Sequence, residues 1–112
     1  MNREIKFRTW DAGYLSKPFN PFFYGGLFTA NTKFMQFTGL KDKNGTDIYE
    51  GDVLKTKLEI NVFVEYSEKY GEFMFIGSDD TRWAKDEDYN REVIGNIYQN
   101  PELLHTGALA GN

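Results

Sequence analysis

Phe34-Met35-Gln36-Phe37-Thr38-Gly39-Leu40-Lys41-Asp42-Lys43-Asn44-Gly45-Thr46-Asp47-Ile48-Tyr49 is the stretch that decides the fold. Phe34 to Thr38 alternates apolar and polar positions with the period of a half-buried strand, and Gly39 interrupts it. Asn44-Gly45 is a strong hairpin signal and predicts a type I′ turn, whose two central residues both need positive φ. Ile48-Tyr49 then starts the returning strand, and Glu50-Gly51-Asp52 makes a second tight turn. The run Asp42 to Asp47 resembles a calcium loop only superficially. Counted from Asp42, the sixth residue is Asp47, where an EF-hand requires glycine.

The same period extends outward. Upstream, Ile5, Phe7 and Thr9 alternate with Lys6, Arg8 and Trp10, and Asp11-Ala12-Gly13 reads as a turn. Downstream, residues 53–66 form two strands or one long bent one, with Val62, Val64 and Tyr66 on one face and a turn or bulge near Glu59 to Asn61. Ser67 to Glu72 is a loop, and Phe73-Met74-Phe75-Ile76 is a buried strand. Gly77 to Asp88 reads as polar loop broken by Trp83. Glu92 to Tyr98 is the last strand, and Gly95 within it predicts a bulge or a close backbone approach. Asn100-Pro101-Glu102 carries the cap, first-turn proline and first-turn acid of a short helix. The expectation is all-β: a single small domain of short antiparallel strands in a barrel-like (SH3-like) or sandwich arrangement, with a short C-terminal helix. The domain spans residues 1–105, and 106–112 form a flexible C-terminal tail.

Composition excludes several chemistries. The 112 residues contain no cysteine and one histidine, His105, so thiolate zinc sites, cysteine nucleophiles and two-histidine metal motifs are out. No serine, histidine and aspartate combine into a hydrolytic triad, and Gly25-Gly26 is followed by Leu-Phe rather than a phosphate-loop lysine. The expectation is therefore a non-enzyme without cofactor or metal. Net charge is −4, with +2 in residues 1–56 and −6 in residues 57–112, which disfavours broad phosphate-backbone binding. The N-terminus lacks the apolar core of a signal peptide, and no stretch approaches the ~18 apolar residues of a membrane span, so the chain is expected in the cytoplasm with no membrane partner.

Aromatics make up 17% of the chain and are unevenly placed. Pro18-Phe19-Asn20-Pro21-Phe22-Phe23-Tyr24-Gly25-Gly26-Leu27-Phe28 crowds five rings among prolines and glycines. The ordinary reading is a loop packed over one edge of the core; the functional one is an aromatic patch that meets a partner. Phe19, Phe22, Phe23 and Tyr24 are the binding candidates there. Glu50 and Asp52 flank Gly51 and could face one ligand, although acids beside a glycine are ordinary turn chemistry. Tyr49, Glu50 and Trp83 are the candidates for a small-molecule pocket, of the kind that would bind or sequester a nucleotide. Arg3, Lys6, Arg8, Trp10 and Lys43 are the candidates for a nucleic-acid-binding barrel.

Arg3 to Asp11, Phe34 to Val53 and Glu92 to Leu104 together resemble the YopX-like family of phage and prophage proteins, the last two blocks most specifically. Residues Ser16 to Phe28 depart from its pattern. The resemblance implies an all-β protein encoded by a bacteriophage or prophage and present in the cytoplasm of the bacterial host, and it brings no catalytic residues. With the missing catalytic constellation, it points to an accessory protein that binds a host or phage protein. Nucleic-acid binding and nucleotide binding are the alternatives, and self-association is compatible with all three.

Overall fold

The computed structural model describes residues 4–20, 28–56, 59–77 and 91–104, together with the backbone of 82–84. Among them the chain is all-β. The strands are β1 (Phe7–Asp11), β2 (Tyr14–Leu15), β3 (Lys33–Lys41), β4 (Asp47–Tyr49), β5 (Asp52–Lys55), β6 (Asn61–Ser67), β7 (Glu72–Gly77), β8 (Arg82–Ala84) and β9 (Glu92–Asn96). They form two antiparallel sheets, ordered β2-β1-β3-β4 and β8-β7-β6-β5-β9. In the second, four consecutive strands meander and β9 returns beside the first of them, so the sheet curls into a half-barrel. The curled sheet is the barrel-like arrangement expected of these short antiparallel strands. The expected C-terminal helix is a single 3-10 turn, Pro101–Leu104. His105 and the expected tail 106–112 lie outside the described residues.

The core follows the period-two pattern. Val62 and Val64 on β6 face Leu54 and Phe75 across the sheet, and with Ile48 and Phe73 they form one buried cluster. Leu40 and Val93 pack against it from its edges. A second cluster joins Met35, Phe37 and Tyr49, flanked by Leu15 and Tyr98. Residues 53–66 are two strands, and the turn between them carries Glu59 at φ +63°.

Three local expectations change in the folded chain. The type I′ conformation occurs at Ala12-Gly13, with φ of +52° and +83°, in the two-residue loop that pairs Asp11 with Tyr14. At 42–46 only Gly45 has positive φ, +84°. Asp42 explains the difference, because its Oδ1 accepts the N–H groups of Asn44 and Thr46, both at 2.8 Å, and organises the loop from within. Its Oδ2 accepts the Val93 N–H at 3.0 Å, and Lys43 N–H donates to Arg91 O at 2.9 Å, which docks the hairpin on β9. Burial pushes the Asp42 carboxyl up, but these three backbone N–H groups outweigh it and hold the carboxyl below its ordinary range.

The second change is at Trp83, which lies on strand β8, paired with Phe75, rather than in a polar loop. The open edge of an apolar strand recruits it, and an aromatic residue suits a strand position. The third is at Asn100. Its side chain accepts the Asn96 N–H at 3.2 Å instead of capping the 3-10 turn, while the Asn100 carbonyl accepts from Leu103 N–H at 3.0 Å. Gly95 behaves as expected: β9 pairs Gly95 with Val53 and Val93 with Leu54, leaving Ile94 as the bulged residue. A Cβ on Gly95 would lie 2.5 Å from Asn100 Oδ1 and 2.9 Å from Leu103 Cδ1, so the 3-10 turn packs directly on the glycine backbone.

Ala12 gives a direct test of the first hairpin. A non-glycine residue in the left-handed region costs about 1 kcal/mol, and asparagine tolerates it better than alanine. Ala12 is exposed. Ala12→Asn is expected to raise stability by about 0.5 kcal/mol and Ala12→Val to lower it by more than about 1 kcal/mol, read from urea unfolding midpoints.

Candidate functional site

The two faces of the first sheet differ in chemistry. Register places Arg8 opposite Met35 and Trp10 opposite both Lys33 and Leu15, so the Lys6–Arg8–Trp10 side of β1 shares a face with the buried Met35–Phe37–Tyr49 cluster. The Arg8 guanidinium lies 4.4 Å above the Tyr49 ring and forms an ion pair with Asp52, which is 0% exposed. The other Asp52 oxygen accepts the Tyr49 N–H at 2.7 Å. Burial dominates at Asp52 and pushes its carboxyl up to about 6 against the opposing pull of Arg8. Arg8 Nε and the Tyr49 hydroxyl are buried without hydrogen-bond partners among the described residues. Beside them Lys6 Nζ donates to Asp47 at 2.7 Å and sits 4.7 Å from the Phe37 ring centre, and Lys41 pairs with the other Asp47 oxygen. Burial raises the Asp47 carboxyl, but hydrogen bonds from Lys41 and Lys6 prevail and hold it low.

This face ties β1, β4 and β5 together. It also engages two cations of the nucleic-acid alternative, since Lys6 and Arg8 are paired with buried or half-buried carboxylates; Lys43, in the 42–46 hairpin loop, lies 3.8 Å from Glu92 on β9. Arg3 lies outside the described residues. Trp10 is half-buried on the same face.

Tyr49 and Glu50 do not converge. Tyr49 is buried, whereas Glu50 is half-buried on the following turn, where its N–H donates to Gln36 O at 2.8 Å. Burial raises the Glu50 carboxyl, and nearby Glu65 raises it further. Trp83 sits on β8, the far edge of the second sheet, and its side chain lies outside the described residues. Three described cavities are lined by neither Tyr49 nor Glu50. Among the described residues no group of three or more His, Asp or Glu is placed to hold a metal ion, and no helix is long and apolar enough to cross a membrane.

The outer face of the first sheet carries the aromatic residues. Phe19 exchanges two backbone hydrogen bonds with Phe7, each 2.8 Å, and so is docked on β1. Its ring stacks on Phe28 at 6.1 Å, and Phe28 meets Phe34 edge-on at 4.7 Å. Thr9 pairs with Phe34 across β1 and β3, which puts this ladder on the face opposite Arg8. Phe28 and Phe34 are each 43% exposed, Ile5 45% and Tyr14 65%. Phe22, Phe23 and Tyr24 lie outside the described residues. Ile5, Tyr14 and Phe34 were not among the sequence candidates. The alternation of β3 is the signal for Phe34, since it sets Phe34 and Gln36 against Met35 and Phe37.

Residues 23–105 match the YopX protein family. The chain belongs to the YopX family. The matched span begins after β1, so the opening block Arg3 to Asp11 lies beyond it. Among solved structures, this YopX chain is similar to protein EF1440 from Enterococcus faecalis, with a TM-score of 0.63 and 23% identity over 92% of this chain and 99% of that one. At that identity the likeness is one of fold. Among curated proteins none matches the chain.

Proposed function

We propose that this YopX chain is a non-enzymatic, phage- or prophage-encoded module that binds a host or phage protein in the bacterial cytoplasm, using the outer face of its first sheet. The observation that carries the reading is the aromatic ladder Phe19–Phe28–Phe34, flanked by Ile5 and Tyr14. Large apolar side chains left in water on a small domain mark interaction surfaces, and aromatic side chains supply much of the energy of protein interfaces. On the opposite face Lys6 and Arg8 are held in internal pairs with Asp47 and Asp52, which supports assigning recognition to the outer one.

A photo-crosslinking amino acid at position 34, with position 69 in the exposed β6–β7 loop as control, tests this in host cells. One dominant protein adduct is expected at 34 and none at 69. Phe34→Ser is expected to prevent capture through a second crosslinker at position 14 while leaving the fold intact. Equal adducts at positions 34 and 69, or capture unaffected by Phe34→Ser, would overturn the assignment.

A further inference from the structure

We infer that the notch beside Asp11, at one end of the aromatic face, is a receptor for a guanidinium group, an arginine side chain of the bound partner. The inference rests on the outer face being the docking surface, and it names the chemistry that surface selects.

The notch is built by the first hairpin. The Ala12-Gly13 turn sets Asp11 opposite Tyr14, while Ser16 N–H donates to Thr9 O at 2.9 Å and Ser16 Oγ accepts the Thr9 N–H at 2.9 Å. Thr9, Asp11, Tyr14, Ser16, Phe28 and Thr32 line a cavity of about 250 Å³. That is below the range of cavities that enclose whole small-molecule ligands and suits a single side chain.

The carboxylate is held in place from one side. Asp11 Oδ2 accepts hydrogen bonds from the hydroxyls of Thr32 at 2.9 Å and Thr29 at 3.1 Å. Those threonines are themselves set by a local turn, in which Thr29 N–H donates to Thr32 Oγ1 at 2.9 Å. Among the described residues no lysine or arginine forms an ion pair with Asp11, whereas Asp47 is paired with both Lys6 and Lys41 and Asp52 with Arg8. A carboxylate fixed by two donors, with aromatic walls from Tyr14 and Phe28, matches a guanidinium on both counts. The planar cation offers forked N–H donors to the carboxylate and a flat face to the rings.

The test is a two-dimensional NMR titration of the isotope-labelled full chain with L-argininamide, using L-citrullinamide as the near-isosteric neutral control. Saturable shifts are expected at the amides of Thr9, Asp11, Tyr14, Ser16 and Thr32 with argininamide, and at least about tenfold weaker binding with citrullinamide. Asp11→Asn retains an acceptor for the two threonines, and Tyr14→Ala alters an exposed position. Each is expected to weaken argininamide binding by about tenfold with the rest of the spectrum unchanged. Absence of saturable shifts, equal binding of citrullinamide, or an Asp11→Asn variant that binds like wild type would overturn the inference. Capture at position 34 without an argininamide response would defeat this inference alone. An argininamide response without capture would instead defeat the assignment of the broader face.

Discussion

Asp52→Ala is expected to destabilise the protein by about 3–5 kcal/mol, the usual cost of removing one partner from a buried ion pair. The variant leaves the Arg8 guanidinium over Tyr49 without its carboxylate and strands the Tyr49 N–H that Asp52 accepts. Both losses fall where the first sheet meets β5. For a domain of this size the melting midpoint should fall by roughly 12–20 °C. Arg8→Met should cost less below about pH 6 than above it, because the orphaned Asp52 carboxyl escapes its buried charge by taking up a proton. A midpoint within 3–4 °C of wild type for Asp52→Ala would show that the pair does not join the sheets.

Asp52 also sets a pH dependence of unusual sign. Its carboxyl sits at about 6 in the folded protein because of burial, against an ordinary value of about 3.9 in the unfolded chain. The folded state thus binds this proton more tightly. The associated stability is fully present below about pH 4 and is lost as pH rises through about 6, by up to ~3 kcal/mol. Asp42 and Asp47 are held low and act in the opposite direction, with their stability lost as pH falls below about 4. The two windows are therefore separable. Urea unfolding of wild type and Asp52→Asn from pH 4.5 to 7.5 should show the wild type losing stability relative to the variant as pH rises. Parallel curves would contradict the assignment.

Phe75→Ala is the second large effect, again about 3–5 kcal/mol. Phe75 is fully buried in the middle of β7, opposite Val64 on one side and Trp83 on the other. Its ring also lies beneath the Arg91 guanidinium, 5.1 Å from the centre, and Arg91 is itself buried. Truncation opens a cavity in the main cluster and removes the aromatic face from a buried cation. Phe34→Ala, at a position 43% exposed, should cost less than about 1.5 kcal/mol. Comparable losses in urea midpoint for the two variants would mean that the outer ladder, and not the half-barrel, carries the core.

The physical origin of each reading decides how well it survives folding. Val62 and Val64 were legible as core because a strand alternates its side chains whatever it pairs with, and Phe73 to Ile76 because a short continuous apolar run reads as a buried strand. Gly95 announced its close contact because a missing Cβ in a strand signals a crowded backbone. The hairpin at 42–46 was legible in position but not in conformation. Asp42 is both an internal acceptor and a partner of Val93, and a bond between residues so far apart in the chain leaves no local trace. Strand β8 was missed for the same reason, since three residues become a strand only by pairing with β7.

By itself, the sequence determined the class: an all-β domain of short antiparallel strands, its main core positions and its place in the YopX family. These follow from side-chain period and from a run of residue identities, both properties of the chain alone. The tertiary structure decided which face is available for recognition. Lys6 and Arg8 read as exposed cations along β1, yet they are turned onto Phe37 and Tyr49 and paired with Asp47 and Asp52, while Phe28 and Phe34 are left partly in water. Period-two alternation separates the two faces of a strand but does not say which one is buried. Here the choice is made by carboxylates on β4 and β5, more than forty residues away, which attract the cations inward.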